Sequence, residues 1–439
     1  MNLLLIGALG VLALLVLFLI KVPISLAMII IGYFGYAVAT TFVAANRVVA
    51  SDIFTTFTSY SLSVIPMFVL MGFIGFHSGI GKKLYSFAYM VVGKLPGGLA
   101  MATQVACAIF GAVCGSSTAT TATMGSIAIP EMQRYKYADK LSAASVAAGG
   151  ALGIMIPPSV ILVLYGIATE QSIARLFLAG IIPGILLTVL FMLAIYISTL
   201  RNPDLAPTAS GPSLSIKDIF RALKDSGLLE VLIVFIISLG GLFGGFFTPT
   251  EAGGVGAAGV LLVTFMQGSL RGKQLLDSLS SATRTSAMIL LLVTGATIFG
   301  RFMAVTRIPF ELASWAGELP LPPFIVVAVV LFIYLVLGTF IDSLPLMLLT
   351  VPIFYPVVVE TLGYNPIWFG VMMVIVVTMG CITPPVGINV YVVKGVAKDI
   401  PLQVIFSGVW PFLLALIVCS ALLIAFPQIA LFLPEYVIN

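Results

Sequence analysis

Charge is what this chain has least of. Asp, Glu, Lys and Arg together supply 8% of its 439 residues, where a soluble domain carries roughly 25%. A surface lying mostly in water is therefore excluded. Histidine occurs once, as His77, so paired-histidine haem ligation is excluded too. At the end of an apolar run, beside Gly79, His77 reads as a boundary residue rather than a proton relay. The four cysteines, Cys107, Cys114, Cys381 and Cys419, show no CxxC spacing. That leaves neither a metal centre nor a disulfide framework, only small apolar side chains. Gly81-Lys82, Gly93-Lys94 and Gly272-Lys273 are not followed by Ser or Thr, so no phosphate-binding loop of an ATPase is present. Energy must come from a gradient or from another subunit. No soluble domain or low-complexity segment is found, and no nucleic-acid partner is expected.

What is present is hydrophobic sequence, at 61% of the chain. It falls in runs of about 18 to 20 residues, each long enough to cross the hydrocarbon of a lipid bilayer. The expected fold is an all-α polytopic membrane protein. The first run, 3 to 20, has no basic residue before it and no small-residue cleavage site after it, so it is expected to be a crossing rather than a signal peptide.

The apolar sequence also says one thing twice. Gly111 stands 46 residues before Pro157-Pro158, and Gly338 stands 46 residues before Pro384-Pro385. At the same offset of 227, Ser116 falls opposite Ser343 and Gly153 opposite Gly380. Gly93-Lys94-Leu95-Pro96 and Pro23 match Gly317-Glu318-Leu319-Pro320 and Pro249 at slightly smaller offsets. Such internal duplication is common in secondary transporters.

Basic residues then orient the repeats, because short cytoplasmic loops retain Lys and Arg. Crossings at 3 to 20, 24 to 44 and 63 to 80 bring Lys82 and Lys83 inside. The stretch 97 to 130 is broken at Cys114-Gly115-Ser116-Ser117-Thr118 and has Lys94 at one end and Arg134, Lys136 and Lys140 at the other. Both ends want the cytoplasm, so it reads as a re-entrant hairpin. A broken helix at 139 to 170 and a crossing at 175 to 200 complete a first repeat, 1 to 200. After a cytoplasmic linker and surface helix, 201 to 227, the second repeat, 228 to 439, has crossings at 228 to 247, 251 to 270 and 285 to 304. A hairpin at 322 to 360, a broken helix at 365 to 396 and a crossing at 401 to 426 follow, ending in a short tail. Moderately polar stretches at 45 to 62, 215 to 227 and 271 to 284 are expected to be surface helices. In this inverted-topology arrangement every basic residue except Arg47, Arg175, Arg301 and Arg307 lies inside.

Chemistry is expected where helices break inside the bilayer, since freed N–H and C=O groups must be satisfied by protein, water or ions. The tip 111 to 121 is rich in small residues and hydroxyls suited to a hard cation, and the break at 149 to 159 loses amide donors at Pro157 and Pro158. Oxygens from both can enclose one ion. The second pair is Gly338 to Ser343 with Thr378 to Pro385. Asp342 follows about twenty uncharged residues, and a lone intramembrane carboxylate is by default functional. The competing reading is a cap on the helix that follows. Helix N-termini after the breaks suit a carboxylate-bearing substrate. Glu251 reads as the first turn of a helix capped by Thr248 or Thr250.

These motifs, Gly-x-x-x-Gly-Ser-Ser-x-Ala at 111 to 119, Ile156-Pro157-Pro158-Ser159, Phe247-Thr248-Pro249-Thr250-Glu251-Ala252-Gly253, Asp342-Ser343 and Thr383-Pro384-Pro385-Val386-Gly387, jointly resemble the large membrane subunit of tripartite ATP-independent periplasmic transporters. The resemblance covers essentially the whole chain. It implies an elevator-type, multi-pass protein of the bacterial inner membrane that imports a small organic acid, such as a C4-dicarboxylate or sialic acid, driven by sodium (Na+). It also implies two partners, a small four-helix membrane subunit and a periplasmic substrate-binding protein. By position, Ser116, Ser117, Thr118, Gly153 and Pro157 would hold one sodium, and Gly338, Thr339, Asp342, Gly380 and Thr383 a second. Substrate would lie between them, near Thr120, Ser159 and Ser343. The alternative is an autonomous ion-coupled carboxylate transporter that needs no binding protein. A redox-complex anchor would call for paired histidines or a chain of buried carboxylates, which the sequence lacks.

Overall fold

A computed structural model describes residues 2–207, 223 and 228–438. Among these residues the chain is helical without strands, the arrangement that satisfies every backbone group within its own segment in lipid. Six helices are long and apolar enough to cross a membrane, and six more of 10–17 residues are apolar but shorter. The polytopic reading therefore holds.

In the first half, α1 (Leu3–Leu19), α2 (Ile24–Ala39), α3 (Phe42–Thr58) and α4 (Val64–His77) are followed by α5 (Ile80–Val92), α6 (Gly98–Cys114), α7 (Ser117–Arg134), α8 (Asp139–Ala151), α9 (Val160–Ala168) and α10 (Ile173–Arg201). In the second half come α11 (Leu228–Phe243), α12 (Pro249–Met266), α13 (Gly272–Thr306), α14 (Ile308–Glu318), α15 (Pro323–Gly338), α16 (Ser343–Tyr355), α17 (Pro366–Gly380), α18 (Ile388–Val396), α19 (Leu402–Ala425) and α20 (Gln428–Val437). The anticipated breaks fall between α6 and α7, α8 and α9, α15 and α16, and α17 and α18. At 17 residues, α6 extends about 25 Å, short of the ~30 Å core.

Three local expectations fail. The amphipathic α5 and α14 were not foreseen as helices. Their buried residues, Ile80, Leu84 and Ala88 on α5 and Ala313 and Ala316 on α14, sit at helical spacing on segments that mix apolar with charged side chains. The stretch 271 to 284 is not a separate surface helix: it runs on into 285 to 304 as the 35-residue α13, because no proline interrupts it. The C-terminal tail is itself a helix, α20, packed on α10, with Arg175 Nη2 donating to Ile438 O at 2.9 Å. Most of the helix placed at 215 to 227 lies outside the described residues.

Packing crosses between the halves. The most extensive contact joins α2 to α13, and its counterpart in the duplication joins α12 to α4, while α4 and α13 also pack on each other. In the same way α7 contacts α18 and α16 contacts α9. Each hairpin thus leans on the broken helix of the other half as well as on its own. Thr248 caps α12 in a reciprocal box with Glu251: Thr248 N donates to Glu251 Oε2 at 2.8 Å and Glu251 N to Thr248 Oγ1 at 3.3 Å. That is the first-turn role the sequence suggested.

On α3, Asp52 is buried, with a side chain 5% exposed, and Arg301 Nη2 of α13 lies 3.4 Å from its Oδ1. Its Oδ2 has no hydrogen-bond partner, so the guanidinium is the principal compensation for a desolvated carboxylate. Arg301→Ala should lower stability by about 1–3 kcal/mol, and Arg301→Lys by less, read as melting temperature of the purified protein.

Candidate functional site

The first tip is built on a left-handed turn. Gly115 adopts φ +62°, a conformation glycine enters without steric cost, and its N–H closes on Gly111 O at 2.7 Å. Ser116 returns to extended backbone and caps α7 by accepting from Ala119 N at 3.3 Å. Its hydroxyl lies 3.2 Å from Thr118 Oγ1, and its carbonyl accepts from Thr120 Oγ1 at 2.7 Å. Gly153, from the first helix break, presses on this tip: a Cβ there would meet Thr120 Oγ1 at 2.5 Å and Ser116 O at 2.8 Å.

The second tip is the counterpart. Asp342 caps α16, its Oδ1 accepting from Ser343 N at 2.8 Å. Behind it, Thr339 O accepts from Gly387 N of the second break at 3.2 Å. The Thr339 hydroxyl donates to Val336 O at 2.8 Å and that of Thr383 to Met379 O at 2.7 Å.

The matched glycines of the duplication prove to be contact pairs. A Cβ on Gly111 would lie 2.5 Å from Gly153 Cα, and one on Gly380 would lie 2.5 Å from Gly338 C. In both halves the hairpin's first arm therefore meets the broken helix backbone to backbone, with no room for a methyl group on Gly111, Gly153 or Gly380, whereas one on Gly338 would meet Val377 O at an ordinary 3.4 Å. Close approach of this kind is what small residues allow in a membrane.

Both tips open onto one cavity of about 430 Å³. Cys114 to Ala119 form one wall and Asp342, Ser343 and Leu344 another. Val69 and Phe73 of α4 and Thr285, Met288 and Ile289 of α13 close it from the helices that lie outside the hairpins. Among the described residues, Asp342 is the only charged one in the lining. Two helix N-termini, those of α7 and α16, begin at its edge.

Among the sequence candidates, Ser116, Ser117, Thr118, Asp342 and Ser343 line this cavity. Gly153, Gly338, Thr339, Gly380 and Thr383 sit behind the tips. Thr120 and Ser159 do not reach the cavity; both are buried, their hydroxyls donating to Ser116 O and Ile154 O. Pro157 instead lines a separate apolar cavity of about 510 Å³ between α6, α10 and α11. His77 closes α4, its Nδ1 3.1 Å from Ser278 Oγ of α13.

One residue escaped the sequence reading. Asn389 of α18 is fully buried and meets Ser117 Oγ with both ends of its amide, Nδ2 donating at 2.8 Å and Oδ1 accepting at 3.0 Å. Nδ2 also donates to Ala147 O of α8 at 3.1 Å. The second broken helix is thereby tied to the first hairpin and to the first broken helix. A polar residue in the apolar run after Pro384-Pro385 was the available signal.

The donor set consists of hydroxyl and carbonyl oxygens at the first tip, with the carboxylate of Asp342 added at the second. No group of three or more His, Cys, Asp or Glu side chains occurs among the described residues. Such oxygens match a hard cation rather than a soft transition metal.

Comparison with known proteins adds the following. Residues 11–429 match the family model described as the tripartite ATP-independent periplasmic transporter, DctM component. The C4-dicarboxylate TRAP transporter large permease DctM of Pseudomonas aeruginosa is 35% identical over 391 residues, 89% of this chain and 90% of that protein. The sialic acid TRAP transporter large permease SiaM of Vibrio cholerae is 35% identical over 378 residues, 86% of this chain and 87% of its own length. Among solved structures, the YdaH transporter of Alcanivorax borkumensis superposes with a TM-score of 0.60 at 16% identity, covering 88% of this chain and 90% of that one. At that identity the likeness speaks for the fold.

Proposed function

Because the chain belongs to the DctM component family of tripartite ATP-independent periplasmic transporters, a family of multi-pass inner-membrane permeases, we propose that it imports a small organic acid on a sodium gradient. The observation that carries this reading is the convergence of two helix-capped, oxygen-rich tips on a single cavity. One sodium ion is held at the first tip by oxygens of Ser116, Ser117, Thr118 and Gly153, while Pro157, on the separate apolar cavity, serves to break the helix behind them. A second is held by Gly338, Thr339, Asp342, Gly380 and Thr383. Substrate lies between them against Ser343. Thr120 and Ser159 act from behind, holding the carbonyls of Ser116 and Ile154.

A carboxylate substrate suits the cavity for two reasons. Among the described residues no basic side chain lines it, and the N–H groups at the starts of α7 and α16 offer positive partial charge without one. Binding of two cations first would raise that field further, which makes substrate binding depend on sodium. Relatives named for a C4-dicarboxylate and for sialic acid keep the chemical class at an organic acid.

The division of contacts suggests how the cavity moves. Helices α2, α4, α12 and α13 brace one another across the two halves and supply only one side of the cavity. The hairpins and broken helices, locked together by the glycine pairs and Asn389, form the other body. Sliding that body along the α4–α13 face, as an elevator, would carry the cavity from one side of the membrane to the other. The inverted arrangement of the two repeats gives the two end states similar packing. A small four-helix membrane subunit and a periplasmic binding protein complete the transporter.

The deciding experiment is uptake into proteoliposomes holding this chain, the small subunit and the binding protein loaded with labelled organic acid. Uptake is expected with an inward sodium gradient and not when choline replaces sodium. Sodium-independent uptake overturns the coupling, and uptake by this chain alone makes it the autonomous carrier instead.

A further inference from the structure

A groove runs down the outside of the protein between α10 and α19. It consists of two contiguous cavities of about 370 and 460 Å³ that share Ser198, Arg201, Trp410 and Pro411. One end is polar and basic: Lys140, at the start of α8, and Arg201, the last residue of α10, come together there with Asn202 and Ser407. The rest is apolar, floored by Leu190, Leu193, Ile197, Leu414 and Val418. Among the described residues, neither cavity is lined by an Asp or Glu. The nearby Asp139 already accepts from Gln133 Nε2 at 2.9 Å, and neither Lys140 nor Arg201 forms an ion pair among the described residues.

From the pattern of charge and length we infer that this groove is a binding site for one anionic glycerophospholipid, its phosphate on Lys140 and Arg201 and an acyl chain along α10. Arg201 to Leu190 is eleven residues, or about 16 Å of helix, close to the ~15 Å that one leaflet contributes to the hydrocarbon core. The groove is thus one leaflet deep, with its cations at the headgroup level. Trp410 lies at the junction of the two parts and is 64% exposed, the placement indole rings favour at a membrane interface. Two unpaired cations at the mouth of an apolar groove complement a phosphodiester better than a zwitterionic headgroup, whose ammonium they repel. The site lies on α10 and α19, away from the cavity between the hairpin tips, so it does not rest on the transport reading.

The test uses the full chain reconstituted in phosphatidylcholine, titrated with phospholipids carrying brominated acyl chains that quench tryptophan on contact. The Trp410 signal is taken as the difference from Trp410→Phe. Brominated phosphatidylglycerol is expected to half-quench it at a several-fold lower mole fraction than brominated phosphatidylcholine. The double variant Lys140→Gln/Arg201→Gln should erase that difference. Equal quenching by the two lipids in the unaltered chain, or a preference that survives the double variant, overturns the site. Should the double variant not fold, salt decides on the unaltered chain: raising ionic strength to about 1 M shortens the screening length to about 3 Å and must shrink the preference. A salt-insensitive preference refutes the assignment.

Discussion

Gly380→Ala is expected to abolish transport and to lower the melting temperature of the purified protein, although alanine is the better helix former. In an unobstructed helix the same substitution stabilises by roughly 0.5–1 kcal/mol. At Gly380 the new methyl group would lie 2.5 Å from the carbonyl carbon of Gly338, 2.8 Å from its Cα and 2.9 Å from its oxygen. All three are backbone atoms, so no side chain can rotate away and α15 must part from α17. Overpacking of this kind costs about 1–3 kcal/mol or more. It also displaces the turn that carries Asp342. Gly111→Ala should behave alike, since its Cβ would meet Gly153 Cα at 2.5 Å. Gly254→Ala on α12 is the control, for nothing lies within 4 Å of a Cβ there, and it should leave uptake and melting unchanged or slightly raise the latter. Normal uptake by Gly380→Ala would mean that the two helices are not held at this distance in the working protein.

The same pairs mark what could be read from the chain. Equal spacing of Gly111 and Gly338 from their proline pairs is visible because each belongs to a close backbone approach, in which at least one partner, Gly111 in the first half and Gly380 in the second, has no room for a side chain. Lone charges and helix breaks are legible for a similar reason, as in Asp342 and Gly115-Ser116, since each is costly in lipid unless it serves a purpose. Amphipathic α5 was harder. Lys82 and Lys83 read as the end of a crossing, yet Ile80, Leu84 and Ala88 have helical spacing. In α13, polar residues from Lys273 to Ser281 suggested a boundary that a chain without proline does not make. Asn389 is marked locally only as a polar residue in an apolar run, and nothing nearby names its partner: Ser117 is 272 positions away, and its counterpart in the duplication, Leu162, is apolar. Contacts between the halves that are not themselves repeated leave no trace in a search for repeats.

Asp342→Asn separates the two roles that the sequence left open for this residue, and the structure makes the separation clean. Asparagine caps a helix about as well as aspartate, so α16 should still begin at residue 343, and folding should be little affected. What disappears is the only charge that the described residues bring to the cavity lining. If that carboxylate balances a bound sodium ion, the variant should lose sodium-driven uptake, since a charged contact of about 1.5–3 kcal/mol corresponds to a roughly 10- to 150-fold rise in half-saturating sodium. Asp342→Ala should show the same loss and, in addition, a lower melting temperature, because removing the cap costs about 0.5–2 kcal/mol. Ser116→Ala at the other tip should be milder. There the ligands are neutral hydroxyl and carbonyl oxygens, several share the ion, and a several-fold rise in half-saturating sodium is expected. The two tips therefore should differ in affinity, the carboxylate-bearing one binding more tightly. Uptake by Asp342→Asn with unaltered sodium dependence would reduce Asp342 to a helix cap and remove the second ion from the scheme.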